Sequence, residues 1–389
     1  MLWNVGQRQS IFYWAQGGDL SLGYDNRKDL FRRCELLRGK PLISYVTSIR
    51  PQASLEMAGD AILPLIEQVQ AVPKEDTRAD FLIISNGGDP ITALRIINIL
   101  RERFEQISVL VPYTAFSAAT LLALGADDIV MHPFSNLGPV DTQISVDMPD
   151  KFGRDKQFWI STEDIRHYFD FIRSDAGITD QACLASALNS LADAINPLSI
   201  GESKKCQRLS LSLGAKLLET HLKGDKAKID SIVDALNSSY HHHGYAVSRK
   251  EAKKIGLEVT EPDAELELIM WDIWLDYCDE MKCNTAFDVY GELMKNLQSR
   301  RFIHNTLASL PSNVAAQILP QFSVDSASRN PLEGPEATIE VATLAGEIES
   351  IRLAHAFELK HYITCSRNSG MDFDARVIEI PGSWKRLGT

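Results

Sequence analysis

The sequence predicts an α/β protein built on a buried, mostly parallel sheet, and three observations carry that prediction. Short, continuously apolar runs such as DFLIIS and ISVLVPY have the composition of strands covered on both faces. Between them, ITALRIINILRERF places apolar residues at helical spacing. Strand then alternates with helix at the rhythm of right-handed βαβ crossovers, which leave parallel strands in the middle and helices outside.

The elements follow in order. Residues 1–39 form an irregular, aromatic arm (Trp3, Phe12, Tyr13, Trp14) and then a helix, RKDLFRRCELLRG, ended by Gly39. PLISYVTSIRP, bounded by Pro41 and Pro51, reads as the first strand. GDAILPLIEQVQAV is a helix in which Pro64 marks a kink or the first turn. DFLIIS, the helix 91–104, ISVLVPY, a helix from Ser117 and DDIVM complete the alternating region. DMPDKFGRDKQFW reads as loop; STEDIRHYFDFIRSD, ITDQACLASALNSLADAI, residues 198–222 and KAKIDSIVDALNS read as helices. A short capped helix and terminal strand close a core of 40–262. AELELIMWDIWLDYCDEM opens a helical extension, 263–299. A linker rich in Pro, Gly and Ser leads to a small C-terminal β-containing appendage within 300–389, with strands in ATIEVATLAG, HYITCSRN and DARVIEIPG.

Composition narrows the function classes. A formal net charge of −12, with no cluster of Lys and Arg, argues against a general binder of nucleic-acid phosphates. The six cysteines are scattered without a CxxC pair, so neither a disulfide framework nor a zinc ribbon is indicated, and no cofactor motif is present. No apolar run approaches the roughly 18 to 20 residues of a membrane span, and the first residues lack the features of a signal peptide. The expectation is a cytoplasmic protein.

Three loops following strands hold the residue types that chemistry needs. In SNGGDP, Gly87 and Gly88 free the backbone to take positive φ and to aim N–H groups into a cleft, although glycine pairs after strands are more often plain turns. The phosphate-loop reading fails, because neither GK[ST] nor GxGxxG is present. In YTAFSAAT, Ser117 stands where a strand gives way to a helix, in a positive local potential that favours an alkoxide-like nucleophile. The competing reading is a simple N-cap. In HPFSNLGPVD, His132 and Asp141 follow a strand end, where a lone histidine is more often structural.

Taken together and in order, GGD, SAAT and SNLGPVD resemble the serine dehydrogenase proteinase family, relatives of signal peptide peptidase A and the Clp peptidase. The resemblance covers about residues 38–259 and includes RGKPLISYVTS, ISNGGDP, VPYTAFSAAT, ADDIVM, SNLGPVD and HGYAVSRKEAKKIGLEV. It implies a Clp/crotonase-type fold of repeated ββα units and a serine peptidase whose nucleophile is Ser117. The implied oxyanion donors are the backbone N–H groups of Gly88 and Ala118, with Gly87 in support. Two departures stand out: Asn86-Gly87-Gly88 where the family has PGG, and SAAT where it has SAGT.

Three residues qualify as the base. His132 occupies a place resembling the Clp histidine in VMIHQP. His243, in the HHHG run, precedes the closing element near which Clp peptidases carry the triad's acid. Lys156 is the candidate by analogy with the Ser/Lys dyad of signal peptide peptidase A, and ranks third because its polar segment offers little desolvation. Asp141 either orients a histidine or holds its own turn. The alternatives to a peptidase are a catalytically silent scaffold and a crotonase-like enzyme acting on acyl thioesters. The expected partners are a peptide or unfolded protein substrate, further copies of the chain in a homo-oligomer, and a separate unfoldase or targeting protein.

Overall fold

The computed structural model describes residues 21–141, 143–149, 155–238, 240, 242–308, 336–367, 373–380 and 382–388. The arm aromatics Trp3, Phe12, Tyr13 and Trp14 lie outside the described residues. Helix α1 (Ser21–Arg38) begins before the predicted start and closes at Gly39, and β1 (Leu42–Thr47) follows. Helix α2 (Ile62–Ala71) carries Pro64 in its first turn, where a missing N–H leaves no bond unmade. After β2 (Arg78–Ile84), helix α3 (Pro90–Arg103) starts on Asp89, whose carboxylate accepts from the N–H groups of Ile91 and Thr92. Strands β3 (Gln106–Val111) and β4 (Thr114–Ala115), helix α4 (Ala118–Leu124), and strands β5 (Asp128–Met131) and β6 (Asn136–Leu137) come next.

Where the sequence reads as loop, the chain forms an antiparallel hairpin, β7 (Gln143–Pro149) and β8 (Asp155–Ser161). Asp, Lys and Gly mask the pattern there, because a two-stranded ribbon has little buried face to impose alternation. Helices α5 (Thr162–Asp170), α6 (Gln181–Ala194), α7 (Pro197–Leu218) and α8 (Lys226–Ser238) follow. Strand β9 (Val247–Ser248), helix α9 (Arg249–Lys254), β10 (Val259–Thr260) and helix α10 (Ala264–Glu280) lead to α11 (Val289–Lys295) and α12 (Leu297–Ala308). The C-terminal strands are β11 (Glu336–Glu349), β12 (Ala354–Arg367), β13 (Phe373–Ile380) and β14 (Trp384–Arg386).

The predicted α/β class and parallel sheet are found. The main sheet runs β10-β5-β3-β2-β1, all parallel, and continues antiparallel through β11-β12-β13, with β14 also on β12. Side chains alternate between its two faces with the period of two that a strand dictates. Phe81, Ile83, Val109, Val111, Ile129 and Met131 face the larger core, which contains α3, α4, α7 and α8. Leu82, Ile84, Leu110 and Val130 face α1 and α10. None of the described helices is long and apolar enough to cross a membrane.

One buried cation ties the α1/α10 layer to the C-terminal strands. Arg27, fully buried, donates to Glu349 at 2.9 Å, Glu347 at 2.8 Å and Asp276 at 2.5 Å, and also to Glu280. Its guanidinium lies over the Tyr277 ring, 4.1 Å from the centroid, and the Tyr277 hydroxyl donates to Glu349. Burial pushes the Glu347 carboxyl well above the ordinary carboxylate range. Removing one partner from such a network leaves buried charge uncompensated. Arg27→Ala is therefore expected to cost about 3–5 kcal/mol in urea unfolding. A loss below about 1 kcal/mol would show that the node holds nothing together.

Candidate active site

The first loop is the turn out of β2. Ser85 bridges to Ala115, with its N–H donating to Thr114 O at 3.0 Å and its carbonyl accepting from Phe116 N at 3.0 Å. Its hydroxyl oxygen accepts from Thr47 Oγ1 and from the N–H of Gly87. The two glycines then run at φ 103° and 143°, conformations that side chains rarely tolerate. Space forbids a side chain as well: a Cβ on Gly87 would sit 2.8 Å from Ser117 Cβ, and one on Gly88 2.3 Å from Met57 O. Met57 pairs with this loop from the other side, donating to Gly87 O at 2.7 Å and accepting from Asp89 N at 2.8 Å. Among the described residues, nothing accepts a hydrogen bond from Gly88 N–H.

Ser117 sits at a sharp elbow between β4 and α4, with φ 53° and ψ −117°. A non-glycine residue here costs about 1–3 kcal/mol and persists only where its surroundings enforce it. Ser117 occupies the N-cap position of α4, but its side chain makes no capping bond. Its hydroxyl makes no hydrogen bond to any described residue, and the N–H of Ala118 likewise has no acceptor among them. Ala119, the departure from the family's glycine, is fully buried in the large core, so its methyl does not narrow the approach to Ser117. Thr120 anchors the helix start: its hydroxyl donates to Ala115 O at 2.6 Å and accepts from Gly138 N at 3.0 Å.

That last bond joins the second loop to the third. Strand β6 lies parallel to β4, and β9 lies antiparallel to β6, forming a small three-stranded sheet. Through β9, His243 of the distant HHHG run is brought to the third loop. His243 Nδ1 lies 2.9 Å from Asp141 Oδ1, across 102 positions of sequence. The carboxylate's hydrogen bond raises the His243 pKa above the ordinary histidine value, against the opposing effect of burial. Asp141 thus engages a histidine.

His132 is placed elsewhere. It follows Val130 and Met131 in alternation, so its ring emerges on the α10 face and stacks on Trp271, with centroids 4.9 Å apart. Its Nδ1 accepts from the N–H of Phe134, and burial lowers its pKa. Helix α4 packs on the opposite face. Lys156 lies in β8 opposite Met148, and its side chain is outside the described residues. Met57 and Thr120 complete the frame although no motif marks them; the only signal is the hydroxyl in SAAT.

The chemical groups of this region are thus an elbow serine whose hydroxyl is unengaged among the described residues and a carboxylate-bound histidine in the segment leading into β9. Residues 25–151 match the family described as ClpP-like SDH-type serine proteinase. The uncharacterised protein MJ0137 of Methanocaldococcus jannaschii is 32% identical over 117 residues, 28% of this chain and 41% of that protein. Its uncharacterised protein MJ1495 is 25% identical over 195 residues, 50% of this chain and 56% of that protein. The chain thus spans about half the length of these relatives. Among solved structures, a serine-to-alanine variant of the 1510-N membrane-bound stomatin-specific protease overlaps 58% of this chain and 83% of its own, with 13% identity and a TM-score of 0.35. ClpP1 from Listeria monocytogenes overlaps 60% and 99%, with 12% identity and a TM-score of 0.32. Superpositions this loose carry no further conclusion.

The packing of the glycine loop sets an expectation for substitution. Gly88→Ala drives a Cβ into the Met57 backbone, so it should lower stability by about 2–3 kcal/mol in urea unfolding. Unchanged stability would mean that the loop is not held in this conformation.

Proposed function

We propose that the chain is a serine peptidase that cleaves peptide bonds through an acyl-enzyme on Ser117, with His243 as base and Asp141 as its orienting carboxylate. The observation that carries this reading is the Asp141–His243 pair, delivered by β9 to the small sheet on which the Ser117 elbow is built. With Nδ1–H donated to Asp141, the neutral ring has its lone pair on Nε2, the tautomer a general base requires. Ser117 Oγ attacks the carbonyl carbon while its proton passes to His243. The oxyanion is received by the N–H groups of Gly88 and Ala118, which have no other described partner. His243 then protonates the leaving amine, and water hydrolyses the ester by the same path in reverse. The hydrogen bond between Ser117 and His243 forms as substrate arrives, since such contacts are often long in free enzymes. His132 has no part in this scheme, because its ring is stacked against Trp271.

The family match over residues 25–151 supports the peptidase reading over the scaffold and the acyl-thioester enzyme. Several copies assembling around the site belong to the same proposal, and light scattering that finds only monomer would count against that part.

Two outcomes are expected. A fluorophosphonate probe should label the wild-type chain at Ser117, and Ser117→Ala should abolish both labelling and peptide cleavage; cleavage that survives the substitution rules the nucleophile out. Activity should rise with pH through a value above the ordinary histidine pKa, because Asp141 stabilises the protonated ring, which is inactive as a base. Asp141→Asn removes that stabilisation. The rising limb should move to lower pH while kcat falls by about 10²–10⁴-fold. A limb that does not move assigns the base to another residue.

A further inference from the structure

The segment that leaves β1 is tied at its start to the C-terminal strands and at its end to the glycine loop. Ser48 N–H donates to Ala345 O at 2.7 Å. Ala345 is the residue skipped at the register shift of β11, which leaves it without an opposite residue on β12. Leu55 N–H then donates to Ser48 O at 3.0 Å, closing the turn. At the far end, Met57 donates to Gly87 O at 2.7 Å and accepts from Asp89 N–H at 2.8 Å, so it brackets Gly88. We infer that Leu55 is a positioning residue for the Gly88 N–H, and that the C-terminal strands, through Leu55, hold the glycine loop in its conformation. The inference rests on the serine-peptidase reading above and adds control of that site by strands outside the residues matched to the family.

Leu55 packs into a cluster made otherwise of C-terminal side chains, Ala345, Phe357, Leu359 and Trp384. Gly346 is what admits it: a Cβ there would lie 2.7 Å from Leu55 Cδ2 and 3.0 Å from the Trp384 ring. Trp384 is fixed in turn by the pairing of β14 with β12 and by the Phe357 ring, its centroid 5.4 Å away. Ser54, Glu56 and Ala58 are exposed, which leaves Leu55 as the anchoring side chain between Ala53 and Met57. Met57 is buried in the larger core, but its unbranched, adaptable side chain follows its backbone more readily than it fixes it. One residue separates Leu55 from Met57, so few soft dihedrals can absorb a shift before it reaches the bonds to Gly87 and Asp89. The tolerance at that point is small, since the Met57 backbone lies directly against Gly88. An N–H that receives an oxyanion acts only while its aim is kept within a fraction of an ångström.

The test uses the full chain with Leu55→Ala, with Leu55→Met as the conservative variant, and with Leu218→Ala as a control cavity in the larger core on α7. Hydrogen–deuterium exchange read by mass spectrometry should show the amides of Met57 and Asp89 exchanging about tenfold faster in Leu55→Ala, with little change in the control. Labelling of Ser117 by a fluorophosphonate should slow about tenfold through its maximal rate, with half-saturation nearly unchanged, and Leu55→Met should restore it. Gly346→Ala, which presses on Leu55 from the C-terminal side, should give the same pattern and serves if Leu55→Ala fails to fold by circular dichroism. Unchanged exchange at Met57 and Asp89, or equal slowing in Leu218→Ala, overturns the inference. Wild-type chain that the probe leaves unlabelled defeats the peptidase reading instead, and the exchange of Met57 and Asp89 then decides by itself whether Leu55 holds the loop.

Discussion

The Ser117 elbow is the constraint on which the rest of the site depends. A serine at φ 53° is held against its own backbone preference, so its neighbours must enforce the conformation. Ser85 fixes the strand before it, Thr120 fixes the helix after it, and Gly87 leaves the space into which it turns. Each of these groups is buried or backbone-bonded, which is what a strained residue requires. The consequence is a hydroxyl that caps nothing and has no described partner.

The sheet supplies the rigidity behind the elbow. Five parallel strands bring the ends of β2, β3 and β5 to one side, and each of the three loops leaves from one of those ends or from the short strand that follows it. The layer of α1 and α10 covers the opposite face. Arg27 connects that layer to β11, so the C-terminal strands are bound both by hydrogen bonding to β1 and by buried charge. The site therefore stands on a sheet whose edge at β1 is closed by another part of the same chain.

Much of this was legible in the sequence because it depends on local pattern. DFLIIS and ISVLVPY are strands because continuous apolar runs suit a sheet buried on both faces, and the glycines of SNGGDP occupy positions where a Cβ has no room. Pairings between distant residues were not legible. Asp141 and His243 are 102 positions apart, and no local rule chooses His243 over His132. The proposal of His243 draws on strand alternation, which turns His132 toward Trp271, and on β9, a strand of two residues too short to announce itself. Arg27 reads as an ordinary charge on a helix; its burial arises only when β11 and α10 close over it.

The central claim is that Ser117, Gly88, Ala118 and His243 act on one carbonyl carbon. Its most direct measurement is a crystal structure of the chain after reaction with a fluorophosphonate. The account predicts phosphorus bonded to Ser117 Oγ, a phosphoryl oxygen about 2.7–3.1 Å from the nitrogens of Gly88 and Ala118, and His243 Nε2 within hydrogen-bond reach of Ser117 Oγ. A phosphoryl oxygen turned away from those two nitrogens, or Lys156 in the place given to His243, would contradict it.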